Sequence, residues 1–122
     1  MSVALWVAQG ILAAAMLMAG MMKLAKPREE LMDRMAFMED FTDGPIKVIG
    51  ALEVLGALGL ILPAVTGIAP VLVPLAAVGI ALIQSGAVVV HLRRSEYQWA
   101  MNLVFIGIAL FIAWGRFGDH AL

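Results

Sequence analysis

Four long apolar stretches, separated by short segments that hold most of the charge, constrain this chain more than any other feature. Val3 to Met22 is a run without a charged residue, closed by Lys23. Ile46 to Leu62 carries a single carboxylate, Glu53. Pro70 to Val90 ends at His91, Arg93 and Arg94, and Trp99 to Phe117 contains Asn102 and is ended by Arg116. A hydrocarbon layer about 30 Å thick is crossed by roughly 20 apolar residues in a helix. In lipid the backbone must satisfy its own hydrogen bonds, which a helix does and an open strand edge does not. The sequence therefore predicts an all-α integral membrane four-helix bundle. It forms a single membrane domain over 1–122, with spans at about 3–22, 46–62, 70–90 and 99–117.

Composition removes the alternatives. A soluble domain is about half apolar and about a quarter charged, whereas this chain is 63% hydrophobic and 14% charged. Disorder needs low hydrophobicity with high net charge, and eight basic against nine acidic residues leave only −1. No basic tract suggests a nucleic-acid partner. The first run has no basic side chain before Lys23, so it reads as a retained span rather than a signal peptide.

Basic residues in short loops set orientation. Lys23, Lys26, Arg28, Arg34, Lys47, Arg93 and Arg94 fall on one side of a four-span topology, and Arg116 alone falls on the other. Loops 23–45 and 91–98 are thus expected in the cytoplasm and both termini outside. Within the longer loop, Pro27 can open a helix on which Leu31, Met35 and Met38 share a face, halted by Asp43-Gly44-Pro45. A short cytoplasmic interfacial helix between the first and second spans is expected there.

The absence of cysteine rules out disulfides, thiolate nucleophiles, CxxCH haem attachment and cysteine-held iron–sulfur clusters. His91 and His120 fall on opposite membrane faces in this topology, so they cannot ligate one haem together. No metal-ligand spacing, phosphate-binding glycine loop or nucleophile elbow occurs. The residues thus assign no catalytic group, no metal site and no cofactor.

What remains is a polar layer. A carboxylate at the middle of a span costs about 2.5–3.5 kcal/mol on insertion scales, so such groups face the bundle or water. Glu53 lies seven positions beyond Ile46 and Gln84 seven before His91, each about 10 Å inside the same boundary at about 1.5 Å per residue. Lys23, His91 and Asn102 sit near that boundary. At about 100° per residue, Gln9, Ala13, Met16, Gly20 and Lys23 form one stripe, as do Gly50, Glu53 and Ala57. Gln84, Ala87 and His91 form a third, and Asn102, Ala109 and Ala113 a fourth. Small residues beside each polar group are what close helix approach in lipid requires.

Lys23, Glu53, Gln84, His91 and Asn102 are therefore the candidate binding or proton-handling cluster. A purely structural role competes with this: Glu53 paired with Lys23 or His91, and Gln84 and Asn102 as interhelical hydrogen-bond glue. Lys47 is expected to extend to lipid headgroups. The two hairpins also correspond faintly, Lys23 matching His91 and Glu53 matching Asn102, as a duplication would leave them.

Gly20-Met21-Met22-Lys23-Leu24 after the first span, and Ile49-Gly50-Ala51-Leu52-Glu53-Val54-Leu55-Gly56 in the second, resemble the DoxX-like family of small four-helix membrane proteins. Pro63 after the second span and His91 at the end of the third suit it. The resemblance implies a bundle in a bacterial inner membrane, with Lys23, Glu53 and His91 at the family's polar positions. It extends over nearly the whole chain but does not fix one function.

Three functions follow as expectations. The first is an accessory or assembly subunit of a larger membrane complex, because the chain is small and lacks a catalytic set. It would partner a membrane protein or a second copy of itself. The second is a quinone- or small-lipophile-binding subunit of a membrane oxidoreductase, in which Glu53 and His91 handle protons. A small transporter or proton path comes last, since the outer half offers little beyond Gln9.

Overall fold

The computed structural model of the protein describes residues 2–25, 43–93 and 99–118. Four helices follow in chain order: α1 (Ser2–Ala25), α2 (Asp43–Thr66), α3 (Leu72–Arg93) and α4 (Trp99–Phe117). All four are long and apolar enough to cross a membrane, and no strand occurs among the described residues. The protein is a four-helix membrane bundle. Only 28 to 33% of each span's most apolar window is buried inside it, so most of the apolar surface is left for lipid. The expected interfacial helix falls on residues outside those described, as does His120.

α1 packs most extensively on α2, and α3 on α4, so the bundle is two tight antiparallel hairpins joined along two thinner seams, α2/α3 and α1/α4. The core between them is built from Leu12 and Met16 of α1, Leu60 of α2, Ile80 of α3 and Ile112 of α4, each at most 1% exposed. Lipid tails are as apolar as these side chains, so association rests on close packing rather than on water exclusion. Glycine supplies that closeness. A Cβ on Gly20 would lie 2.6 Å from the Gly50 carbonyl oxygen, and one on Gly50 would lie 2.8 Å from Lys23 Cβ. The α1 and α2 backbones therefore touch at this level.

Three boundaries differ from the sequence expectation. α2 continues through Pro63 to Thr66, so that proline lies inside the helix rather than after it. Membrane helices tolerate this because neighbouring groups satisfy the freed backbone atoms. Gly67 then ends α2 with φ at +73°, and its N–H donates to the Pro63 carbonyl at 3.0 Å, a left-handed helix stop that suits glycine. Second, Asp43-Gly44-Pro45 begins α2 instead of standing before it, because proline's missing N–H costs nothing in a first turn. Finally, α3 starts at Leu72 and runs on to Arg93.

Lys47 also departs from expectation. Its ammonium donates to the carbonyls of Lys23 at 2.6 Å and Leu24 at 3.1 Å, rather than extending away to headgroups. The last carbonyls of α1 lack helical partners and carry the negative end of the helix dipole, so a cation in the first turns of the antiparallel neighbour, four residues beyond Asp43, caps them.

Candidate functional site

The polar stripes of the four helices converge. Gln9, Ala13, Met16, Gly20 and Lys23 are all buried on α1, as are Gly50, Glu53 and Ala57 on α2 and Gln84 and His91 on α3. At the end of the bundle bearing the 26–42 and 94–98 connections, Lys23, Glu53, Gln84, His91 and Asn102 line one cavity. We call this the connection end and the opposite one the terminus end. The cavity has a volume of about 550 Å³, and the rest of its wall is mainly apolar, including Met16, Ile49, Val90 and Phe105. Small-molecule sites commonly span about 300–1,000 Å³ and set a few polar groups in such walls. The positions matched between the hairpins, Lys23 with His91 and Glu53 with Asn102, all face this one space.

An ion pair sits at its inner side. Lys23 Nζ lies 2.7 Å from Glu53 Oε1, with the two residues 5% and 3% exposed. Helical side chains lean toward their own N-terminus. Because α1 and α2 are antiparallel, Lys23 leans inward from the connection end and Glu53 leans outward to meet it. The Gly20–Gly50 contact brings the two backbones close enough for the pair to close.

A second polar chain crosses from α4 to α1. Asn102 Nδ2 donates to Gln84 Oε1 at 2.6 Å, and Gln84 Nε2 donates to Met16 Sδ at 3.5 Å. Thioether sulfur is a weak acceptor, so the inner end of this chain is held loosely. Asn102 Oδ1 is buried with no hydrogen-bond partner among the described residues. His91 is 4% exposed in the last turn of α3. A carboxylate, an ammonium and an imidazole thus line one largely apolar, partly open cavity, where they can hold the head of a lipophile and exchange protons with it. The described residues contain no cluster able to hold a metal ion.

The terminus end holds a polar centre that the sequence reading missed. Arg116, expected at the outer boundary as the lone basic residue on its side, is 4% exposed. Its Nε donates to Gln9 Oε1 at 2.7 Å, and Gln9 Nε2 donates to the Leu60 carbonyl at 2.7 Å. Leu60 lies three residues before Pro63, in the turn whose hydrogen-bond ladder the proline interrupts. The Arg116 guanidinium also lies 5.6 Å from the Trp6 ring centroid, within cation–π range. The outer half therefore offers more than Gln9. The signal was present: Arg116 follows Asn102 and Ala109 at spacings of seven, on the same inward stripe. Its place at the end of an apolar run made it read as a boundary charge.

Compared with known families, the chain matches the DoxX-like family over residues 7–112. No curated protein and no solved structure matches it.

Proposed function

We propose, for a chain that belongs to the DoxX-like family, that it binds a small lipophile of the quinone class in the connection-end cavity, as a subunit of a membrane redox system. The observation that carries this reading is the cavity itself: about 550 Å³ of mostly apolar space onto which all four helices bring the five polar residues. A bundle whose polar groups served only to join helices would have packed that space shut. Lys23 and Glu53 would hold opposite charges beside the bound head, and His91 would pass protons between it and the connection end. Electrons would come from a partner, since this chain has no cysteine and no metal cluster among its described residues.

In this reading the connection end faces the cytoplasm and both termini lie outside, in a bacterial inner membrane, by the excess of basic residues on the connection side. The test is gentle extraction from native membranes, followed by mass spectrometry of the lipids retained. A quinone retained in near-stoichiometric amount, and displaced in Glu53→Gln, is the expected result. Protein free of any lipophile would sink the reading.

A second reading, an accessory subunit packed on a larger membrane protein, is favoured by a different observation. A Cβ added at Gly10, Gly79 or Gly107 would meet nothing within 4 Å, so glycine at these positions is not required by packing within the bundle. In lipid such small residues let a further helix approach closely. Co-purification with one defined partner, lost in Gly107→Leu, would support it; recovery of a lone monomer would not.

A further inference from the structure

The two hairpins match in space as well as in sequence. The offset that places Lys23 on His91 also places Leu5 on Val73, Leu12 on Ile80 and Met16 on Gln84, and all eight residues are buried. The offset that places Glu53 on Asn102 likewise places Leu60 on Ala109 and Pro63 on Ile112, four more buried residues. Helical period aligns buried positions once one pair is aligned. It does not bring Lys23, His91, Glu53 and Asn102 around one cavity, nor make the seams correspond. The tight seams α1/α2 and α3/α4 are equivalent, and so are the thinner ones α2/α3 and α1/α4. This is the pattern of a pseudo-twofold axis along the bundle. Met16 and Gln84, a matched pair, touch at 3.5 Å, so the axis passes between them. Both line the cavity, which therefore lies on the axis, with one polar wall from each hairpin.

Each wall has hydrogen-bonding capacity to spare. The Lys23 ammonium carries three N–H groups, and its partner among the described residues is Glu53. The Gln84 and Asn102 amides carry two N–H groups each. Among the described residues Gln84 donates to Met16 Sδ, a weak acceptor, and Asn102 donates to Gln84.

We infer that the cavity holds a ring with an oxygen at each end, a para-quinone, bonded by Lys23 at one oxygen and by the Gln84 and Asn102 amides at the other. The inference rests on the reading of the cavity as a ligand site and adds how the head is held. A lipophile with a single polar end would meet one wall and leave donors of the other unpaired in apolar surroundings, which is costly. A para-quinone is itself twofold, with an acceptor at each end, and meets both. In the hydroquinone form each oxygen carries a hydrogen. Glu53 and the buried Asn102 Oδ1, at matched positions, are then the acceptors.

The test uses tetramethyl-para-benzoquinone labelled with carbon-13 at both carbonyls, which are equivalent when free. The full chain in lipid nanodiscs is titrated by equilibrium dialysis, and the carbonyl stretches are read by infrared difference spectroscopy against empty nanodiscs. Hydrogen bonding lowers a carbonyl stretch, so saturable binding of one quinone per chain with both stretches below their position in hexane is expected. Gln84→Leu and Asn102→Leu are compared singly, so that one misfolded variant does not decide the outcome. In each, one stretch should move back toward its hexane position, and Kd should rise by up to about tenfold, the worth of one neutral hydrogen bond. Saturable binding with one stretch left at its hexane position in the unsubstituted protein would overturn two-ended holding and keep the cavity reading. Both stretches unmoved by either substitution would overturn the assignment of the second oxygen to these amides. Absence of saturable binding to the unsubstituted protein would remove the cavity reading and this inference with it.

Discussion

The two ends of the bundle solve the same problem differently. Each buries a cation among apolar helices, Arg116 at the terminus end and Lys23 at the connection end. At the terminus end Arg116, Gln9 and the Leu60 carbonyl form a relay of 2.7 Å hydrogen bonds. Leu5 fits so closely against Gly115 that an added Cβ would lie 2.6 Å from it. At the connection end the cation meets a carboxylate beside a cavity of about 550 Å³, and the amide chain nearby ends on a thioether and leaves Asn102 Oδ1 without a partner among the described residues. Dense packing around polar groups that are hydrogen-bonded to one another is how interhelical glue looks. Polar groups left facing space are suited to a ligand. On the proposed reading, this difference would give fold maintenance to one end and binding to the other.

The strongest way to break this comparison is at the ion pair. Glu53→Leu strands a buried ammonium and should cost about 3–5 kcal/mol of stability, the range for breaking a buried pair from one side. Adding Lys23→Met should recover most of that loss, because two apolar residues replace two desolvated charges, yet retained quinone should stay absent. Denaturant titration in mixed micelles alongside lipid analysis would check both halves. If the double variant stayed as unstable as the single one, the pair would be a structural element and the contrast between the ends would weaken.

Arg116→Met should act oppositely. It leaves Gln9 Oε1 buried without this donor, costing about 1–3 kcal/mol, while lipophile retention in the distant cavity is unchanged. A double-mutant cycle with Gln9→Leu should give a coupling of about 0.5–3 kcal/mol, measured by the same unfolding titration. Additive losses would mean the relay does not act as a unit.

Lys47→Met removes the cap on α1 and should cost about 0.3–1 kcal/mol, seen as faster amide exchange at the α1 C-terminus. The smallest expected stability change is Gln84→Leu. Interhelical side-chain bonds in lipid average about 0.6 kcal/mol, so this variant should unfold nearly as the parent does. Because Gln84 lines the cavity, its effect on quinone retention should exceed its effect on unfolding. A large stability loss with unaltered retention would move Gln84 from the binding end of the comparison to the structural one.

Much of this architecture was legible in the residue order. Apolar runs long enough to cross the membrane left few folds, and spacings of three and four placed Lys23, Glu53, Gln84 and His91 on inward stripes before any coordinates. Helical periodicity is rigid enough that angle alone carried this far. It failed where a residue's surroundings depend on a neighbouring helix. Arg116 and Lys47 stand at the ends of spans, where long side chains reach either outward to headgroups or back to buried acceptors. The sequence does not state which acceptors are near. Pro63 misled for a related reason: a proline usually marks a helix stop, but a membrane helix can continue through it when neighbouring groups support the interrupted turn.

The sequence by itself determined that this chain is a four-helix membrane bundle with one carboxylate deep in a span, because the cost of exposing backbone and charge to lipid leaves no other arrangement. Only the tertiary structure decided that Glu53 pairs with Lys23, that Arg116 is tied to Gln9, and that the connection end leaves a cavity beside its polar groups. Those outcomes turn on how closely the helices approach. That closeness is set by which glycines meet across each seam, at Gly20 with Gly50 and at Gly115 with Leu5, and a one-dimensional pattern does not contain it.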